Sequence, residues 1–167
     1  MAGAALEIKL DESAWAAARD AFARMAGNDQ TAFLEFIGAE LKNIAQDAFA
    51  TESDPTTGEA WAPWSPSYAA KQGKKGGPGS KKLDRHGDLF RSIDYGVLAG
   101  GVAVGSNMQH APTHQFGAKK GAYGQTRRGH SIPFGDIPAR PYLGVPPDFA
   151  DRILGDPAIL ELLGLPT

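Results

Sequence analysis

The sequence predicts an α+β domain in which a long N-terminal helix packs on a small antiparallel β-sheet, with two long basic glycine-rich loops. Three observations lead there. From 14 to 50 the only glycines are Gly27 and Gly38 and there is no proline, whereas from Asp54 onward one or the other recurs every few residues. Inside the glycine-poor third, apolar residues repeat at three- and four-residue spacing. Further on, short apolar segments flank a pair of adjacent glycines, a hairpin signal. With 167 residues, 42 % of them hydrophobic, the chain suffices for one domain over 1–167 with a modest core.

The first element is Leu6-Glu7-Ile8-Lys9-Leu10, whose alternation reads as a half-buried strand. Asp11 or Ser13 can cap a helix whose inner face is Trp15, Ala18, Phe22 and Met25. Gly27-Asn28-Asp29 ends that helix and starts the next, from about Gln30 to Ala50. Its stripe is Phe33 or Leu34, Ile37, Leu41, Ile44 and Ala48, and at ~1.5 Å per residue it is ~30 Å long. The segment 51–64 is rich in turn formers, and its prolines exclude a continuing helix. Trp61 and Trp64 there either seal one end of the core or present an aromatic anchor to a partner. The segment 71–82 has the composition of a flexible loop. Leu89, Phe90 and Ile93 mark a short helical turn, followed by a hairpin from Ile93-Asp94-Tyr95-Gly96-Val97-Leu98 through Ala99-Gly100-Gly101 to Val102-Ala103-Val104-Gly105. A second flexible basic stretch runs over 117–131. Proline spacing from Ile132 to Val145 forbids helix and predicts an extended edge segment that docks Ile137, Tyr142 and Leu143 on the core. The tail could begin a helix at 147–154, and Asp156 with Pro157 starts a better one, over about 156–163.

Composition and motifs exclude much. Lysine plus arginine number 17 and aspartate plus glutamate 19, so the chain is not basic overall, although local basic patches remain. With no cysteine, disulfides, thiolate metal sites and cysteine nucleophiles are out. No run approaches the ~18 apolar residues of a membrane span, and the opening Met1-Ala2-Gly3-Ala4-Ala5-Leu6 does not read as a secretory signal. Gly73-Lys74 is followed by Lys75, so no phosphate-binding P-loop is present. The nucleophile motif Gly-x-Ser-x-Gly is absent. Asp84, His86 and Asp88 alternate but sit in a loop-like context, and His110 and His114 are separated by Pro112, which argues against a helical metal pair. Neither catalysis nor a cofactor or metal is expected. Basic residues fall in two groups: Lys71, Lys74, Lys75, Lys81, Lys82 and Arg85, then Lys119, Lys120, Arg127 and Arg128. They are either solvated loops or sequence-independent phosphate contacts.

The order of local motifs resembles the phage virion morphogenesis family, which includes tail-completion proteins of Mu-like and P2-like tailed phages. Pro55 to Trp64, with Gly58 and Trp61, is similar to that family's Pro-x-x-Gly-x-x-Trp-x-Pro-Leu stretch, Trp64 standing where leucine is usual. His86-Gly87-Asp88-Leu89-Phe90-Arg91-Ser92-Ile93 resembles its Gly-x-Leu-x-x-Ser-Ile. His114-Gln115-Phe116-Gly117 matches its His-Gln-Phe-Gly, preceded here by His110-Ala111 rather than tyrosine-alanine. Ile137-Pro138-Ala139-Arg140-Pro141-Tyr142-Leu143-Gly144 matches Ile-Pro-Ala-Arg-Pro-Phe-Leu-Gly with tyrosine for phenylalanine. The resemblance covers roughly 33–145.

It implies a non-enzymatic structural protein of the virion, assembled in the host cytoplasm and acting at the neck or the head-proximal end of the tail, in tail completion and head–tail joining. It further implies a homo-oligomer, a hexameric ring being usual, that meets other neck and tail proteins such as a tail tube or terminator and a head connector. Lys74, Lys75, Lys81, Lys82, Lys119, Lys120, Arg127 and Arg128 would then face packaged DNA or neighbouring subunits. A DNA-binding accessory protein using the same residues is the alternative, and a metal enzyme built on His86, Asp88, His110 and His114 a further rival. A buried Arg140 would need a carboxylate or carbonyl partner. Phe116 and Leu143, if both are core, should each cost ~2–5 kcal/mol on truncation to alanine.

Overall fold

The structure is a computed structural model that describes residues 4–7, 31–75, 81–83 and 86–162. The helix expected through Trp15, Phe22 and Met25 lies outside the described residues, as do 8–10 of the opening strand.

The α+β architecture is as the sequence predicts. Strand β1 (Ala4–Glu7) precedes the long helix α1 (Thr31–Thr51), and the short helices α2 (Pro66–Lys75) and α3 (Asp88–Arg91) lead to the hairpin β2 (Ile93–Leu98) and β3 (Gly101–Ser106). Helix α4 (Ala111–Phe116), a long irregular excursion, and helices α5 (Phe149–Leu154) and α6 (Pro157–Leu162) complete the described chain. The sheet is antiparallel with strand order β1-β3-β2. The hairpin turns at Ala99-Gly100, with Gly100 in the left-handed region (φ 81°), so Ile93 faces Ser106 and Val97 faces Val102. That register buries Val102, Val104 and Ser106 on one face of β3, and α1 lies across β2 and β3 with Phe33, Ile37, Leu41, Ile44 and Ala48 turned inward.

Helix and sheet approach closely at Gly38. A β-carbon there would overlap the Tyr95 ring, so this glycine sets how low the helix can lie on β2. Beside it Lys42 Nζ reaches Asp94 Oδ1 at 3.0 Å. At the other end of α1, Glu52 takes the left-handed position (φ 54°) while Ser53 N–H donates to the Ala48 carbonyl at 3.3 Å, a Schellman-type stop. The Lys82 backbone N–H donates to Glu52 Oε1 at 2.6 Å and Lys82 Nζ lies 2.5 Å from Oε2, which ties down a residue that lacks glycine's freedom there.

Where they are described, the two basic segments carry more structure than the sequence suggests. Lys71 to Lys75 belong to helix α2, not to a loop: the Ser65 carbonyl accepts from Tyr68 and Ala69 N–H at 3.0 and 2.9 Å and Pro66 begins the helix, where its missing N–H costs nothing. The alanines and lysines that follow are good helix formers. The stretch 117–131 folds into an arm with its own cross-links. Ala118 bridges Ile137, Gln125 bridges Ser131, and Tyr123 N–H donates to the Ile132 carbonyl at 2.8 Å. Arg127 and Arg128 form its tip, between the Thr126 carbonyl and the Gly129 N–H that donates to it at 2.9 Å. As expected, 138–146 carries no regular structure, Tyr142 and Leu143 are buried and Ile137 is half-buried.

Glycine to alanine usually stabilises an exposed helix interior by ~1 kcal/mol. For Gly38→Ala the sign should reverse, with a loss of about 1–3 kcal/mol from overpacking against Tyr95. Denaturant melts of the two proteins test this, and an equal or higher midpoint for the variant would show that helix and sheet can separate freely.

Candidate functional site

The motifs scattered along the sequence meet around the extended segment 137–144. Buried Gln115, near the end of α4, faces that segment. Its Nε2 donates to the Leu143 carbonyl at 2.8 Å, and its Oε1 accepts the N–H groups of Tyr142 and Leu143, each at 3.0 Å. A glutamine supplies both donors and acceptors on one planar group, so it stands in for a neighbouring strand. The Arg140 N–H donates to the His114 carbonyl at 2.8 Å, and Trp61 Nε1 donates to the Pro141 carbonyl at 2.6 Å. Trp61 itself is buried, edge-on to Phe49 at 5.5 Å, and Phe49 also touches Tyr142 and Phe90. This settles the role of Trp61 as core.

The glycines of these motifs mark close approaches. Gly117 (φ 73°) lies so near the Ile137 carbonyl that a β-carbon would come within 2.8 Å of it, and a β-carbon on Gly144 would overlap Thr56 Oγ1. Gly58 (φ 73°) turns the loop that carries Thr56, and Gly87 (φ 74°) opens helix α3, which buries Leu89. Pro138 stays exposed on the outer side of the segment.

Arg140 is 7 % exposed. The partner that sequence reasoning left open is a pair of carbonyls: Nε donates to Ala62 O and Nη2 to Pro63 O, both at 3.0 Å. Burial pulls its pKa below the ordinary arginine value, against the opposing charge of Glu52. Glu52 is itself engaged with Lys82. Burial pushes its carboxyl up, but the Lys82 hydrogen bonds and charge outweigh that and hold it below the usual range. Lys82 is therefore a structural ion-pair partner, not a free phosphate contact.

Phe116 reverses the expectation that it is core. It is 69 % exposed, although Gln115 before it and Gly117 after it are both fixed. Gln115 and Phe116 are successive helical residues, about 100° apart around the axis, and glutamine faces inward while phenylalanine faces out. Tyr123, on the following arm, and Phe134, just beyond it, are also exposed.

Beside Phe116, across Ile137 and Pro138, opens a cavity of about 520 Å³. Trp64 and Tyr68 form one wall as an edge-to-face pair at 5.6 Å. His86, Asp88, His110 and His114 all line this cavity. Sequence reasoning took Pro112 to prevent a helical pairing of His110 and His114. In fact Pro112 sits in the first turn of α4, where proline is tolerated, and the two rings stand one turn apart with centroids 5.4 Å apart. Even so, among the described residues no three metal-binding side chains converge. His114 Nδ1 is buried without a hydrogen-bond partner, as is the Tyr142 hydroxyl. Burial, with the charges of His110 and Arg140 adding to it, pulls His114 down to about 4, and burial pushes Tyr142 up to about 12.

Of the predicted basic contacts, Lys74 and Lys75 end helix α2 and Lys81 is exposed at the cavity rim. Lys119 pairs with Asp136 at 3.0 Å, and Lys120 gives its backbone N–H to the same carboxylate at 2.8 Å. These two contacts, the backbone one first, hold Asp136 below the usual carboxylate range. Sequence reasoning missed Asp136, Tyr68 and Glu52, which have no local spacing signal because their partners are 16 to 30 residues away or come from a helix read as loop.

His114 predicts a pH dependence. Its folded value lies below the unfolded 6.5, so between 6.5 and about 4 the unfolded chain binds more protons and stability rises with pH. The melting temperature should fall on acidification through that window, and fall less in His114→Gln. Parallel curves for the two proteins would refute the assignment.

The chain is 37 % identical over 111 residues to a protein of Escherichia phage Mu provisionally named capsid assembly protein G, an alignment that covers 65 % of each chain. No solved structure matches it. The phage virion morphogenesis family matches residues 12–159, which takes in every motif above, and the chain belongs to that family.

Proposed function

We propose that this chain is a non-enzymatic structural subunit that completes the tail and joins it to the head at the neck, in the virion, as one member of a homo-oligomeric ring, sixfold by the usual tail symmetry. Its partners are its own copies, a tail tube or terminator protein and a head connector. Family membership supports a part in building the particle. The observation that carries the rest is Phe116, a large apolar side chain held outward between two fixed neighbours. A fold has no use for such a mount, whereas interfaces centre on preorganised aromatic anchors. The arm that follows displays Tyr123 and the chain just beyond it Phe134, and a subunit in a head-to-tail ring needs unlike surfaces of this kind.

A second reading rests on Arg127 and Arg128. Both are exposed at the tip of the arm, and among the described residues neither has a carboxylate partner. Lys81 and Lys120 could join them in contacting packaged DNA. Duplex DNA binding with a steep salt dependence by the isolated protein would favour that reading.

Electron microscopy of particles made without the gene tests the first reading, with rescue by variants supplied in trans. Deletion should leave DNA-filled heads and full-length tails unjoined. Phe116→Ala should melt like the parent yet fail to rescue. Leu143→Ala, a true core change, should lower stability by about 2–5 kcal/mol. Intact particles without the gene, or full rescue by Phe116→Ala, would contradict it.

A further inference from the structure

The cavity beside Phe116 holds a buried cation that makes no ion pair among the described residues. Arg140 lines it, nine-tenths buried, and spends Nε and Nη2 on two backbone carbonyls. Carbonyls satisfy hydrogen bonds but carry no net charge, and a buried guanidinium stays ionised. Among the described residues no carboxylate pairs with it. Glu52, whose charge does reach Arg140, is taken by Lys82; Asp136, which also borders the cavity, is taken by Lys119 and the Lys120 N–H; and Asp88, the third carboxylate here, lines the cavity as an exposed residue in no ion pair with Arg140. A second unmet group lines the same space, His114 Nδ1, buried with no partner. Lys81 stands exposed at the rim, in no ion pair among the described residues although its charge also acts on Glu52. The walls are apolar: the Trp64–Tyr68 pair on one side, Ile137 and Pro138 on the other.

We infer that this cavity receives an acidic segment of a partner virion protein, a carboxylate side chain next to an apolar one. The carboxylate would approach the free edge of the Arg140 guanidinium between His114 and Lys81, and the apolar neighbour would lie against Trp64 and Tyr68. Charge complementarity favours a negative ligand. A protein carboxylate suits the site better than duplex DNA, because the deepest cation is too buried for a helix backbone to reach while a single side chain can enter. Ile137 and Pro138 separate the cavity from Phe116, so one partner could engage both the outward phenylalanine and the inward cation. The inference rests on the assembly reading for the identity of the partner class, but its chemistry is tested separately.

The test places the photocrosslinker p-benzoylphenylalanine at Tyr68, a half-exposed wall residue, in the full chain expressed in cells that produce particles. Cross-linked peptides are sequenced. The expected product joins position 68 to a segment of another virion protein that contains aspartate or glutamate. Changing that acid to its amide, or Lys81→Glu in this chain, should lower the cross-link yield by about tenfold, the scale of one unmade charge pair. Lys81→Glu leaves the Arg140 anchors in place, so a folding defect does not confuse the result, and an unchanged melting temperature checks this. Cross-links to DNA, to a segment without carboxylates, or in equal yield after amide substitution would overturn the acidic-segment inference while leaving the assembly role standing. Absence of the chain from every particle and assembly intermediate would instead overturn the assembly role. If the chain is present in particles but gives no cross-link at position 68, the cavity is not a docking site.

Discussion

A stretch of chain that crosses a protein core without a neighbouring strand must still satisfy its backbone polar groups, and here that requirement organises the molecule. The segment 137–144 pairs with no strand of the sheet, and its two prolines remove donors that a strand would need. Its remaining groups are met one by one. Ala118 N–H reaches the Ile137 carbonyl, His114 O takes the Arg140 N–H, Trp61 takes the Pro141 carbonyl, and Gln115 takes three groups of Tyr142 and Leu143. These donors and acceptors come from three separate parts of the chain, so this segment joins the turn after α1, helix α4 and the arm into one body. Removing Gln115 would leave buried groups unmade, each at a cost of about 1–3 kcal/mol.

The same arrangement explains why residues adjacent in sequence have opposite roles. Gln115 faces the segment, and Phe116, one helical step of about 100° further round, faces outward. Arg140 turns its guanidinium toward the Ala62 and Pro63 carbonyls, so it sits at the floor of a cavity rather than at the surface. Gly117 and Gly144 keep the backbones close enough for these contacts. Inward and outward residues are thus interleaved along the chain. A substitution in the His-Gln-Phe-Gly stretch can fail by either route, and only paired measurements of stability and assembly separate them.

Much of the fold was legible because it depends on local patterns. The stripe of α1 and the glycine turn of the hairpin need no knowledge of partners. What was not legible depended on distant partners. Phe116 reads as core in any hydropathy scale, and only the direction of Gln115 reveals otherwise. Helix α2 was hidden because its lysines and nearby glycines resemble a linker, although Ser65-Pro66 is a helix start. Proline between His110 and His114 looked like a breaker because its place in the first turn could not be known before the helix boundary was. The Arg140 partners are backbone carbonyls, which carry no side-chain signature at all. The apolar docking of Tyr142 and Leu143, by contrast, followed from prolines that leave an extended segment few alternatives.

Amide hydrogen exchange at Tyr142 and Leu143 tests most directly whether side chains hold this segment in place of a strand. In the native protein both amides should exchange as slowly as those of the paired β3 residues, and in Gln115→Ala both should lose protection while β3 keeps its own. Fast exchange at Tyr142 and Leu143 in the native protein, or protection that survives Gln115→Ala, would contradict the account.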